Sequence, residues 1–224
     1  MALFTSHEEI CEEALKVFAF IEKPYLNFRF KHLLVAPAAM RTKYIRMLNR
    51  EIQFANNGNE AYAFIKVNSL VDETLIRKLY QASRAGVKIR LLVRGICSLM
   101  PGIPGLSENI EIHSIIGRYL EHTRVFIFGN GGTEDIYISS ADWMERNLDY
   151  RVEVSVAIYD PTIRREIRDM MELQWSDNVK ARILKGAQPN DYVKREKGDN
   201  RVRSQMAMYD LIEEQQKMFR KKSE

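Results

Sequence analysis

Between residues 31 and 93 the chain alternates three short apolar runs with two amphipathic stretches, and few folds accept that alternation. His32-Leu-Leu-Val-Ala36 is a nearly continuous apolar run closed by Pro37, which reads as a buried strand. Residues 39–55 follow with Met40, Tyr44, Leu48, Ile52 and Ala55 on one helical stripe, and Asn56-Asn-Gly-Asn59 breaks the helix. Residues 61–67 read as a second strand. Asp72 is placed to cap the next helix, with Val71 and Ile76 as a hydrophobic staple. Leu75, Ile76, Leu79 and Ala82 form that helix's apolar face, and Gly86 ends it. Residues 87–93 supply a third strand. This order predicts a largely parallel sheet covered by helices. Such sheets bind ligands outside the carboxyl ends of their strands.

The segments that leave that end carry the polar chemistry. Arg94 opens the loop Arg94-Gly-Ile-Cys-Ser-Leu-Met-Pro-Gly-Ile-Pro-Gly105, whose glycines and prolines exclude regular structure. A guanidinium meets phosphate oxygens two at a time, so Arg94 is a candidate phosphate ligand. The competing reading is a surface arginine that happens to end a strand. After a strand at 109–114, Tyr119-Leu-Glu-His122-Thr-Arg124-Val-Phe-Ile-Phe128 sets an imidazole and a guanidinium two residues apart at the head of an apolar run. Side chains at that spacing share a strand face. Past the turn Gly129-Asn-Gly-Gly132, the run Tyr137-Ile-Ser139-Ser140-Ala-Asp142 ends in two hydroxyls and a carboxylate. Proton donor, cation and hydroxyls around one phosphoryl group are the equipment of phosphoryl transfer, which rests on positioning and charge stabilisation. A lone His-x-Arg would read as a satisfied surface histidine. The Ser-Ser-Ala-Asp run beside it shifts the balance.

The flanks are less constrained. Residues 6–21 read as an amphipathic helix with Ile10, Ala14, Val17, Phe18 and Ile21 on one face, stopped by Pro24. Residues 150–158 alternate Val152, Val154 and Val156 with Arg151, Glu153 and Ser155, and Asp160-Pro161 opens a helix running to about Trp175. Residues 179–184 read as a last strand, 185–200 as a polar loop and 203–219 as a closing helix. Three regions result: 1–30, 31–184 and 185–224.

Composition excludes several classes. With 224 residues, 46% hydrophobic and 29% charged, the chain is an ordinary globular α/β sequence. No apolar run approaches the roughly 20 residues of a membrane helix, and no secretory signal opens the chain. Cys11 and Cys97 lie far apart, and His7, His32, His113 and His122 have no metal-ligand spacing. No protein metal site is therefore expected, and a reducing cytoplasm fits. Residues 180–224 hold 12 Lys and Arg against 7 Asp and Glu, so the net charge of +4 comes from the C-terminal segment. That segment is either a solvated tail or a wall for polyanions.

Several stretches resemble the bacterial polyphosphate kinase family, in its C-terminal region. They are Phe30-Lys-His-Leu-Leu-Val-Ala-Pro37, Leu70-Val-Asp72, Leu91-Leu-Val-Arg94-Gly-Ile-Cys-Ser-Leu99, Tyr119-Leu-Glu-His122, Ser139-Ser-Ala-Asp-Trp-Met144, Arg146-Asn-Leu-Asp149 and Ser176-Asp-Asn-Val-Lys-Ala-Arg182. The resemblance implies an α/β, phospholipase-D-like mixed sheet flanked by helices from about Lys31 onward. It implies transfer of the terminal phosphate of ATP, through a phosphohistidine, to polyphosphate, with Mg2+ required. Arg94 matches the family's ATP-contacting arginine, and His122 its second histidine, a nucleotide contact and general acid. Arg124 joins them as a further nucleotide-binding candidate. The phosphorylated histidine and the groups associated with magnesium belong to a preceding domain without counterpart here, and residues 1–30 resemble the end of that domain. The resemblance further implies ATP, ADP and polyphosphate as ligands, the upstream domains and a homo-oligomer as partners, no specific nucleic acid, and a cytoplasmic location compatible with peripheral membrane attachment.

The phospholipase-D pattern His-x-Lys, Asp, Gly-Ser-x-Asn is altered to His122-Thr-Arg124, Gly129 and Ser139-Ser-Ala-Asp142. Those losses count against a dimeric phosphodiesterase or nuclease, the first alternative. A polyanion-binding module without catalysis is the second. Arg94 and Arg124 are expected within one phosphate's reach of His122. The nucleophilic histidine and metal-associated groups are expected on the facing domain, and no carboxylate is in evidence to orient His122 as their substitute, so the chain alone is expected not to synthesise polyphosphate.

Overall fold

The computed structural model describes residues 1–186 and 190–223; residues 187–189 of the expected 185–200 loop lie outside the described residues. In chain order the elements are α1 (Glu8–Glu22), β1 (Leu33–Ala36), α2 (Met40–Asn56), β2 (Tyr62–Val67), α3 (Glu73–Arg84), β3 (Lys88–Val93) and β4 (Ile110–Ile115). Then come β5 (Arg124–Phe128), β6 (Asp135–Ser139), α4 (Glu145–Asp149), β7 (Glu153–Ala157), α5 (Pro161–Trp175), β8 (Ala181–Leu184), β9 (Asn190–Tyr192) and α6 (Ser204–Ser223). The expected caps are present. Asp72 accepts the Leu75 N–H at 2.9 Å, and Asp160 accepts those of Thr162 and Ile163 at 2.8 and 3.0 Å.

Among the described residues nine strands make one mixed sheet in the order β1-β7-β6-β5-β2-β3-β4-β8-β9. The α/β class with helices on both faces is as expected, but the parallel part is confined to β2, β3 and β4. The remaining neighbours are antiparallel, and β7, β6 and β5 stand between β1 and β2. Hydrophobic periodicity identifies strands but carries no information on lateral order, and the 124–157 meander inserts where the βαβ pattern suggests direct neighbours.

Two layers flank the sheet. Leu48, Leu75, Leu79 and the ring of Tyr44 pack with Ile65, Leu91 and Phe126 on one face. Ile167 and Met171 of α5 pack with Phe64, Leu92, Val125 and Ile127 on the other. Alternation along β1 separates Leu34 and Ala36 on the first face from Leu33 and Val35, which meet Ile10, Val17 and Phe20 of α1.

Helix α1 departs from the expected stripe. Its buried face is Ile10, Glu13, Val17 and Phe20, whereas Phe18 and Ile21 are 66% and 54% exposed. The carboxylate in the middle of the true face disguises it. Glu13 accepts the backbone N–H groups of Lys31, His32 and Leu33 at 2.5, 2.9 and 2.7 Å, satisfying donors at the entry to β1. The 185–200 segment likewise contains a short strand, β9, where a loop was expected; Arg182 lies over the Tyr192 ring at 3.9 Å.

The topology matters for function because it gathers one edge. β2, β3 and β4 end there at Val67, Val93 and Ile115, and antiparallel β5 starts there, with Val125 opposite Lys66. β6 ends there, with Ser139 opposite Arg124.

Candidate active site

At that edge the segment after β2 is zipped between two others. Leu70 N–H donates to Ile96 O and Ser98 N–H to Leu70 O, while Val71 and Asp72 N–H both donate to Trp143 O. Trp143 is fully buried and locks the arrangement against Tyr44 and Phe126. The loops that begin with Arg94 and end with Asp142 are thereby fixed side by side.

Asp142 is the hub. Its Oδ1 accepts the N–H groups of Asn68 and Ser69 at 2.6 and 3.2 Å. The same carboxylate takes Arg124 in a fork, Nε to Oδ1 at 3.1 Å and Nη2 to Oδ2 at 2.8 Å. The pair is nearly buried, with side-chain exposures of 13% and 7%. Arg94 joins through Asn68, whose Oδ1 accepts its Nε–H at 2.7 Å. Arg94, Asn68, Asp142, Arg124 and His122 therefore form one hydrogen-bonded chain, and Arg94 lies near enough for its charge to act on His122.

His122 precedes β5 and is exposed, and its Nε2 lies 2.9 Å from Arg124 Nη2. A guanidinium only donates, so Nε2 must accept and the proton of the neutral ring sits on Nδ1. Burial first and the Arg124 charge second hold the imidazole below its ordinary pKa; Asp142 opposes them. The ring contact is thus a guanidinium held by Asp142, and no carboxylate bonds the imidazole among the described residues. Arg124 also donates from Nη1 to His122 O at 3.2 Å, so four of its five N–H groups are engaged within the protein.

The hydroxyls are committed as well. Ser139 Oγ accepts from Ala141 N–H at 3.0 Å and lies 2.5 Å from Ser155 Oγ, and Ser140 bonds Glu153 and the Val154 N–H. Both line a cavity of about 400 Å³ together with His122 and Arg124. Arg94 faces a second, of about 620 Å³, with Ser114 and Lys185. At the opposite edge, a cavity of about 730 Å³ near the starts of β2 and β3 includes Arg168, paired with Glu134 and Glu172.

Sequence reasoning passed over Asn68, Lys66 and Glu121. Lys66 is buried in β2, where its ammonium pairs with Glu121 and Gln174; burial holds its pKa below the usual lysine value, against the pull of Glu121. A single charge inside the apolar run 61–67 was the available signal. Other motif residues act as scaffold: Asp149 and Asp72 both hold Arg41, and Asn147 bonds Glu153. Gly129 is also explained. A Cβ there would fall 2.9 Å from the Tyr62 ring and 3.2 Å from Glu51 Oε2, so the position has no room for an aspartate.

Among the described residues no group of three or more His, Cys, Asp or Glu side chains could hold a metal. Asp142, whose charge acts on His122, and Glu121, its neighbour in sequence, are taken up by Arg124 and Lys66. These residues do not fit a magnesium seat, and the chemistry available to this chain's own groups is anion binding and proton placement.

A mixed α/β sheet that gathers Arg94, Arg124 and His122 at one edge is the class that fold and site define. The family model described as polyphosphate kinase C-terminal domain 2 matches residues 33–205, and the chain belongs to that family. It is 48% identical over 221 residues to a polyphosphate kinase of Vibrio cholerae, covering 98% of this chain and 31% of the relative. The polyphosphate kinase of Escherichia coli is 46% identical over 212 residues, 94% of this chain and 30% of its own length. The crystal structure of polyphosphate kinase from Porphyromonas gingivalis superposes with a TM-score of 0.91 at 39% identity, covering 96% of this chain and 33% of that one. The chain thus spans about a third of the length of these relatives.

Proposed function

We propose that the chain supplies the nucleotide-contacting face for transfer of the terminal phosphate of ATP to polyphosphate, working with the remaining two thirds of the family's length. The observation that carries the reading is the hydrogen-bonded chain from Arg94 to His122 at the ligand-binding edge. In this role Arg94 binds the nucleotide's phosphates. Arg124 contributes charge and fixes the imidazole, and His122 presents the Nδ1 proton to a phosphate oxygen. Any magnesium the reaction uses would be held by groups outside this chain and would supply charge neutralisation to the phosphates. Residues 1–30 serve as the junction to the preceding domain. The setting is cytoplasmic, and the working form is a homo-oligomer. Gly129 and Arg124, in place of aspartate and lysine, count against phosphodiester cleavage.

The test joins the chain to the remainder of the family's length. His122→Ala is expected to lower turnover by about 10²–10⁴-fold, the usual worth of general acid–base help. Arg94→Ala removes a charge-assisted contact of roughly 1.5–3 kcal/mol and weakens nucleotide binding about 10- to 100-fold. The chain alone, incubated with labelled ATP and magnesium, is expected to form neither phosphohistidine nor polyphosphate. Wild-type turnover in His122→Ala, or polymer made by the chain alone, would overturn the reading.

A further inference from the structure

The segment that carries His122 has no backbone of its own to lean on. Among the described residues, no backbone-to-backbone hydrogen bond outside the regular elements involves residues 116–123. Ile116, Tyr119 and Leu120 are 68%, 57% and 76% exposed, so burial does not hold it either. Side chains hold it. Arg124 takes His122 O, and Lys66 takes Glu121. The third hold comes from α6, where Gln205 Oε1 accepts the Tyr119 N–H at 3.0 Å and Gln205 Nε2 donates to Tyr119 O at 2.8 Å. The amide side chain mimics a strand partner, satisfying both polar groups of one residue.

Gly117 makes that seat possible. A Cβ at 117 would fall 2.1 Å from Gln205 Oε1 and 2.4 Å from its Cδ, so only glycine leaves room for the amide. The start of α6 is itself anchored. Buried Asp177 accepts Ser204 N–H and Oγ–H at 2.8 and 2.7 Å with Oδ2, and the N–H groups of Val179, Lys180 and Ala181 with Oδ1. The anchor sits one residue before Gln205, so the latch has a fixed base.

We propose that Gln205, seated on Gly117, is a positioning residue for His122, and that the closing helix α6 is part of the machinery that places the imidazole. The proposal rests on the reading of His122 as a site residue. The groups facing His122 are Arg124, Asp142 and Arg94. Release of the segment loosens the Arg124 contact and lets the imidazole titrate closer to an ordinary histidine.

The experiment uses the whole chain, without ligand, carrying Gln205→Ala or Gly117→Ala. Histidine NMR follows the titration of His122, with buried His113, stacked on Trp175 at 3.9 Å between ring centroids, as internal control. Loss of two ordinary hydrogen bonds is expected to speed Tyr119 amide exchange about 10- to 100-fold. The His122 midpoint is expected to rise in both variants while His113 stays where it was. Faster Tyr119 exchange with an unmoved His122 midpoint would overturn the proposal, as would unchanged exchange. Gly117→Ala carries the greater folding risk, and Gln205→Ala, a half-buried side chain, gives the same readout if it fails. In the joined enzyme the latch variants should lower kcat with little change in KM for ATP. The NMR readout stands even where His122→Ala leaves turnover intact, so failure of the latch and failure of the functional reading are told apart.

Discussion

The imidazole of His122 and the guanidinium of Arg124 are two residues apart in the sequence, and the structure converts that spacing into a defined tautomer. The donor-only guanidinium forces Nε2 to accept and leaves Nδ1–H for a ligand. Arg124 is in turn made affordable by Asp142, since a nearly buried cation without its carboxylate carries a large desolvation penalty. The consequence is testable without any substrate. Arg124→Gln removes the positive charge next to the ring and leaves Asp142 unneutralised, and both changes favour the imidazolium. The His122 midpoint is expected to move up from its lowered position toward or past the ordinary histidine value, and a histidine NMR titration checks it. A midpoint that stays or falls would mean the guanidinium does not govern the ring.

Elements were the most legible scale. The helical stripe of 39–55, the Asp72 and Asp160 caps and the strands ending at Val67 and Val93 follow from period and end signals, which are local. Arg94, His122 and Arg124 were visible as residue types at a strand's end. The hub that joins them was not, because Asn68 and Asp142 meet across 74 residues and nothing local announces that contact. Helix α1 was misread for a related reason, since Glu13 faces inward to accept three N–H groups at the entry to β1, from Lys31, His32 and Leu33. Glu13→Ala leaves these donors without their acceptor, at a cost of at least about 1–3 kcal/mol. Hydrogen exchange should show protection lost in α1 and β1 while β2, β3 and β4 keep theirs. Uniform loss would show instead that α1 unfolds only with the whole sheet.

For the molecule as a whole, the outer face of α1 is the feature without a partner. Leu15, Phe18 and Ile21, at helical spacing along α1, are 69%, 66% and 54% exposed. Contiguous apolar surface of this kind promotes association. The chain is expected to self-associate with rising concentration, and Phe18→Ser combined with Ile21→Ser is expected to shift it toward monomer in sedimentation velocity. Because neither side chain supports the sheet, thermal stability should change little. Concentration-independent sedimentation of the unaltered chain would show that this face is not sticky. Among the described residues no helix is long and apolar enough to cross a membrane.

The place of β1 at the far side of the meander sets a timetable for biosynthesis. Its neighbour in the sheet is β7, with Leu33 opposite Val156, and among the described residues no other strand borders it. A ribosome releasing the chain from its N-terminal end therefore emits β1, α2, β2 and α3 long before β1 has anything to pair with. At roughly 5–20 residues per second, that leaves several seconds in which an apolar strand travels unpaired. The closing of this sheet is a late event in the life of the nascent chain, and any helper that shields exposed strands has its window there.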